Sequence, residues 1–175
     1  MAEPSPGTPG DIEMDSNADT CCLGKSFVIL SYTQRIAEVY AYDDTLPPTR
    51  VPIVSGATAY DCPKTGTTYI LVVNEGLYYG TKLDHSLFQP NQLRMFDNPV
   101  WDNPFDSERP FGIETDQLSI PFQSKGTKVL FKSRAPTDYE LGSCPIIQLT
   151  SRIPWEPRKV QLSQTRTELW KDQIL

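Results

Sequence analysis

What this chain has little of already narrows what it can be. It has one histidine, His85, and four cysteines, Cys21, Cys22, Cys62 and Cys144, with no C-x-x-C pair. A zinc site would therefore lack ligands at workable spacing. No metal and no cofactor are expected, and the cysteines read as reduced, partly buried thiols. Positive charge is also short: 16 Lys and Arg stand against 22 Asp and Glu, for a net charge of −6. With no dense basic run, a phosphate backbone is a poor partner and no nucleic acid is expected. No uninterrupted apolar stretch approaches the roughly 18 residues of a membrane span. The first residues lack the basic-then-apolar order of a signal peptide. No membrane partner and an intracellular, cytoplasmic location are the expectation.

What is present, 175 residues at 38% hydrophobic content, suffices for one moderate core or one small domain with an appended module. Residues Met1 to Gly10 hold three prolines, two glycines and no apolar residue after the first two, which predicts a disordered leader. Ile12 and Met14 then alternate into the turn signal Asp15 to Asp19, followed by Cys22 and the run Phe27 to Leu30. That pattern predicts strand, turn, strand, with a carboxylate at the strand end. Ala37 to Tyr42 and Val51 to Val54 predict a hairpin whose exposed tip carries Pro47-Pro48. A second hairpin pairs Val54 to Tyr60 with Thr67 to Asn74 around Pro63 to Gly66. The unbroken run Tyr69 to Val73 predicts a strand buried on both faces.

Further on, His85 to Phe88 reads as a short strand, and Pro90 with Leu93 and Phe96 as a short helix. The repeated Asp97-Asn98-Pro99 and Asp102-Asn103-Pro104 are turn chemistry and mark a module boundary. Beyond it come a hairpin around Lys125-Gly126, a helical turn over Thr137 to Leu141, a strand over Ile146 to Thr150 and a weakly amphipathic Ser163 to Leu175. The expected organisation is a leader over 1–10, an all-β domain with one short helix over 11–96, a β-rich extension over 97–160, and a helix or tail over 161–175.

Asp15-Ser16-Asn17-Ala18-Asp19-Thr20 resembles the Asp-Ser/Thr-Gly-Ala signature of retropepsins. Leu77-Tyr78-Tyr79 through Leu83, and His85-Ser86-Leu87-Phe88 to Gln92-Leu93, are similar to the closing stretch of copia-type retrotransposon proteases. The likeness covers roughly Ile12 to Phe96. It implies a retropepsin-like closed β-sheet domain and an aspartic endopeptidase that processes a polyprotein, active only as a homodimer, in the cytoplasm and within retroelement particles. It makes Asp15 catalytic, with Ser16, Asn17 and Ala18 supporting it and Asp19 orienting substrate. The flap falls on Asp43, Asp44, Thr45, Leu46, Pro47, Pro48 and Thr49. Asn17 stands where the family usually has glycine. The alternative is an inactive remnant that keeps the protease fold as a binding or structural module.

Blander readings compete for the same residues. Asp15 and Ser16 alone would make an Asx or ST turn. His85 lies between Asp84 and Ser86, but neighbours in a strand point to opposite faces, which defeats a triad. Asp97, Asp102 and Asp106 lack calcium-loop spacing. Trp101 and Trp155, beside prolines, read as packing anchors. An unrelated β domain would leave Asp15 and Leu87-Phe88 apart.

Overall fold

The structure is a computed structural model that describes residues 3–40 and 45–162. Asp43 and Asp44 of the expected flap tip and the helix expected over 163–175 lie outside the described residues. The fold is all-β. Its strands are β1 (Pro9–Met14), β2 (Cys22–Leu23), β3 (Val28–Val39), β4 (Thr49–Asp61), β5 (Thr68–Tyr78), β6 (His85–Phe88), β7 (Val100–Trp101), β8 (Gly112–Glu114), β9 (Ser119–Pro121), β10 (Gln123–Lys125), β11 (Lys128–Arg134) and β12 (Ile146–Gln148). Two short α-helices, α1 (Pro90–Arg94) and α2 (Asp138–Ser143), and a 3-10 turn over Gly80–Lys82 complete the described elements. The hairpin turns fall where the sequence puts glycine: Gly66 and Gly126 take φ of +74° and +61°, a region glycine enters without steric cost.

Nine strands form one sheet in the order β10-β11-β1-β6-β2-β5-β4-β3, with β12 also on β5. β11 pairs with β4 as well, through Arg134 and Ala59, so the path from β11 round to β4 closes on itself. The closure is one residue pair wide, and β10 and β3 remain as the outer strands. β6 lies between the two arms of the Asp15 to Thr20 turn, parallel to β1 and antiparallel to β2. β7, β8 and β9 make a separate three-stranded sheet, yet their Val100, Ile113 and Ile120 enter the same apolar core.

β5 is the central strand that its sequence predicts, buried without interruption from Ile70 to Tyr78. Phe27, Phe88, Phe131 and Tyr60 stack edge-on or tilted at centroid distances of 5.8 to 6.1 Å. Each fully buried side chain of this size contributes about 1.5–3 kcal/mol. Leu23, wholly buried, lies between Gly56 and Gly76, where an added Cβ would stand 2.7 Å from its Cδ1. These two glycines are required by close approach, not by backbone dihedrals.

Two stretches are more firmly built in than their composition suggests. Pro9 and Gly10, expected within a disordered leader, open β1. Just before them the Gly7 N–H donates to the Ala135 carbonyl at 2.8 Å, and the Ala135 N–H to the Thr8 carbonyl at 2.8 Å. Glycine at position 10 lets this backbone lie on Ser26, since a Cβ there would meet Ser26 Cβ at 2.9 Å. The segment over 97–160, expected as an extension, supplies β10, β11 and β12 to the large sheet. β11 covers the open side of β1 over five residue pairs. Composition cannot reveal this, because strand partners so far apart in sequence leave no local signal.

Candidate functional site

The turn between β1 and β2 is held from below by side-chain amides. The Asp15 N–H donates to the Phe88 carbonyl at 2.9 Å, and the Asn17 N–H to Asp15 Oδ1 at 2.9 Å. Gln89, the N-cap of α1, sends its Nε2 to the carbonyls of Ser16 and Ala18 at 3.3 and 2.5 Å. Gln92 Oε1 accepts the Cys21 N–H at 2.9 Å. Pro90 at the first helical position leaves no orphan N–H there and fixes the start of the helix. The strand and helix that follow it in the sequence thus clamp both ends of the acid turn.

Asp15 is half-buried, while Ser16, Asn17 and Asp19 are exposed. The Thr20 hydroxyl donates to Asp19 Oδ1 at 3.0 Å. Asn17 is not among the residues with positive φ, so this turn does not need glycine for its dihedrals. Asp15 and Phe88 are neighbours, joined by that backbone bond.

Beside the turn is a groove of about 820 Å³. It is lined by Asn17 to Thr20 of the turn and by Ala37 to Tyr40 at and just past the end of β3. Ile53, Glu75, Leu77 and Tyr79 also line it, as do Trp155 to Lys159. Asp15 is not part of the lining, and neither is any residue of the expected flap tip from Thr45 to Thr49. The β3–β4 hairpin reaches the groove through both strands, with Ala37 to Val39 of β3 and Ile53 of β4. Its tip residues Thr45, Leu46, Pro47 and Thr49 are exposed, with Pro48 half-buried.

Cys22 also lines the groove. Burial first, then the charges of Asp19 and Asp15, push its thiol up to about 12. It stays protonated at neutral pH, which removes it as a thiolate nucleophile. Burial likewise raises Tyr79 above its ordinary value. His85 stands 4.0 Å from Asp11 on the adjacent strand, away from the groove. Among the described residues no group of three or more His, Cys, Asp or Glu is arranged to hold a metal ion. No helix of the described residues is long and apolar enough to cross a membrane.

Sequence reasoning missed Glu75 and the 155–159 segment. Glu75 is 3% exposed with φ of +57°, inside a strand that otherwise reads as apolar. The signal was there, since Asn74-Glu75-Gly76 interrupts the run Tyr69 to Val73. On the edge of β5, β12 pairs with Ile70 to Val72 and β2 with Leu77 and Tyr78. Between them side chains replace a strand. Thr150 Oγ1 accepts the Asn74 N–H and donates to its carbonyl, at 2.8 and 2.7 Å, while Gln92 Nε2 donates to the Glu75 carbonyl at 3.0 Å. Comparison with known protein families, curated proteins and solved structures finds no match to this chain.

Proposed function

We propose that this chain is one subunit of a homodimeric, retropepsin-like aspartic endopeptidase that acts on a polyprotein. The observation that carries the proposal is the clamped turn. Asp15 follows β1 directly with its N–H on the Phe88 carbonyl, and the residues after it line a groove shared with a long hairpin.

Peptide hydrolysis of this kind uses two carboxylates sharing one proton, because like charges about 3 Å apart cannot both ionise. One acid activates water while the other protonates the carbonyl oxygen. The chain carries one Asp-Ser-x-Ala stretch, so the second acid is Asp15 of another copy across a two-fold axis. The apparent pKa values then belong to the pair. Asp15 Oδ1 is engaged by the Asn17 N–H, leaving Oδ2 for the shared proton. The exposed Ser16 hydroxyl serves the contact across the dimer, and Asp19, exposed in the groove lining, orients substrate backbone.

The test is cleavage of a peptide library between about pH 4 and 7, with and without pepstatin, alongside sedimentation. Hydrolysis lost in Asp15→Asn and a dimeric species support the reading; hydrolysis undiminished in that variant, or a strict monomer, overturns it. A second reading, a monomeric peptide-binding module, is favoured by one feature: Asp15 closes an Asx turn and lies outside the groove lining. It is distinguished by peptide binding without cleavage in a monomer.

A further inference from the structure

Glu75 is a buried carboxylate in the middle of a core strand, a place where an apolar residue of similar volume would be no less stable. Every acceptor it has is used. Oε1 accepts the Trp155 N–H at 2.8 Å, Oε2 is paired with Arg35 Nη2, and its carbonyl takes Gln92 Nε2 at 3.0 Å. Its partners come from three separate parts of the chain. Arg35 reaches it because β3 is irregular between Tyr32 and Ile36, where Gln34 takes φ of +71°; such a bulge re-aims a side chain. β5 carries its own irregularity opposite Val54 to Gly56, at Asn74 and Glu75. Trp155, held by Glu75 through its backbone, passes its indole Nε1–H to the Asp19 carbonyl at 2.8 Å.

The contacts run Arg35, Glu75, Trp155, Asp19, from β3, whose Ala37 to Val39 line the groove, to the acid turn, whose Asn17 to Thr20 line it as well. We infer that Glu75 is a positioning residue that sets the width of the groove, tying hairpin β3–β4 through Arg35 to the acid turn through Trp155. The tie itself is independent of any chemistry, whereas its effect on turnover rests on the protease reading. Substrate affinity depends on the spacing of these two stretches, and the reacting carboxylate touches none of these groups, so losing the tie weakens binding and spares the chemical step.

The experiment uses the full chain and three variants. Glu75→Gln keeps an acceptor for Trp155 but loses the charge that holds Arg35. Arg35→Met breaks the tie from a side chain that is 41% exposed, and so carries the test if Glu75→Gln does not fold. Trp155→Phe removes the indole bond to Asp19 and keeps the backbone bond to Glu75 and an aromatic ring in the groove lining. Amide hydrogen exchange over 33–39 is expected to rise roughly tenfold in the first two variants, as for a lost charge-assisted hydrogen bond, with β1 and β11 unchanged. Arg35→Lys, which keeps the charge, restores part of the protection. For the enzyme, KM rises about tenfold with kcat within about twofold in all three variants. Unchanged exchange over 33–39 in both Glu75→Gln and Arg35→Met overturns the inference, as does a fall in kcat with KM unchanged. If the parent chain hydrolyses nothing, the protease reading fails and the exchange result alone decides the tie.

Discussion

The backbone N–H of Asp15 donates to the carbonyl of Phe88 at 2.9 Å, which joins the two stretches that stand out in the sequence. Phe88 is fully buried, 6.1 Å from the Phe27 ring and 6.0 Å from the Phe131 ring. The position of the acid is therefore set by the packing of a side chain 73 residues away (88 − 15).

Phe88→Ala is expected to cost about 3–5 kcal/mol, as large-to-small changes in packed cores do. Denaturant unfolding checks this, with an unchanged m-value marking a loss of stability and not a change in the denatured state.

Gln89→Ala removes the donor to Ser16 and Ala18 and the acceptor for the Asn91 N–H. Stability should fall by about 1–3 kcal/mol, since partly buried carbonyls lose their partners. Any hydrolysis should fall further than stability alone explains, because the acid turn loses its clamp. Thermal unfolding and a peptide-cleavage assay on the same preparation separate the two effects.

Much of this site was legible in sequence terms, and for local reasons. The Asp15 turn, the β4–β5 hairpin at Gly66 and the turn at Gly126 are dictated by residues within a few positions of each other, as is α1 behind Pro90. The apolar run Leu118 to Phe122, expected as the first strand of the Gly126 hairpin, instead gives β9 of the three-stranded sheet, and the polar Gln123 to Lys125 pairs with β11. The closure through Arg134 and Ala59, the pairing of Gly7 with Ala135 and the ties of Glu75 were not legible. Each joins residues far apart in the chain, and no periodicity encodes a partner at that distance. Glu75 was also hidden by its neighbours, because a carboxylate inside an apolar run reads as an interruption until Arg35 and Trp155 are seen around it.

Asn17→Gly addresses the position where the resemblance is imperfect. Asn17 holds no positive φ, so the glycine removes no strain and chiefly frees the unfolded chain. The expected cost is about 0.5–1 kcal/mol, with no loss of hydrolysis. Calorimetry and the cleavage assay check both halves.

Arg134 donates to Glu140 and Asp61 at once. Its hydrogen bonds hold the Glu140 carboxyl down to about 2, against the desolvation that opposes the shift, and lower Asp61 as well. A depressed carboxylate stabilises the fold above its unfolded pKa, near 4.3 for Glu, and loses that contribution as pH falls toward its folded value. Wild-type Tm should therefore drop between roughly pH 4.5 and 2 more steeply than that of Glu140→Gln. Partial solvent exposure of the group moderates the difference. Parallel curves for the two proteins over that range would remove the assignment.

The closure of the sheet has a consequence for the order of events during synthesis. The Ser133 hydroxyl donates to the Ser26 hydroxyl at 2.8 Å across 107 positions of chain, beside β1 residue Gly10, which pairs with it in the sheet, so β1 waits for most of the protein before its second neighbour exists. Until then its free edge and the core side of β6 face solvent. Contacts of such long range slow folding, because loop-closure entropy is lost before they form. A nascent chain that has passed Phe96 but not Arg134 already holds Phe88, Gln89 and Gln92 beneath the acid turn, while β11, β12 and the Trp155 bond to Asp19 are still to come.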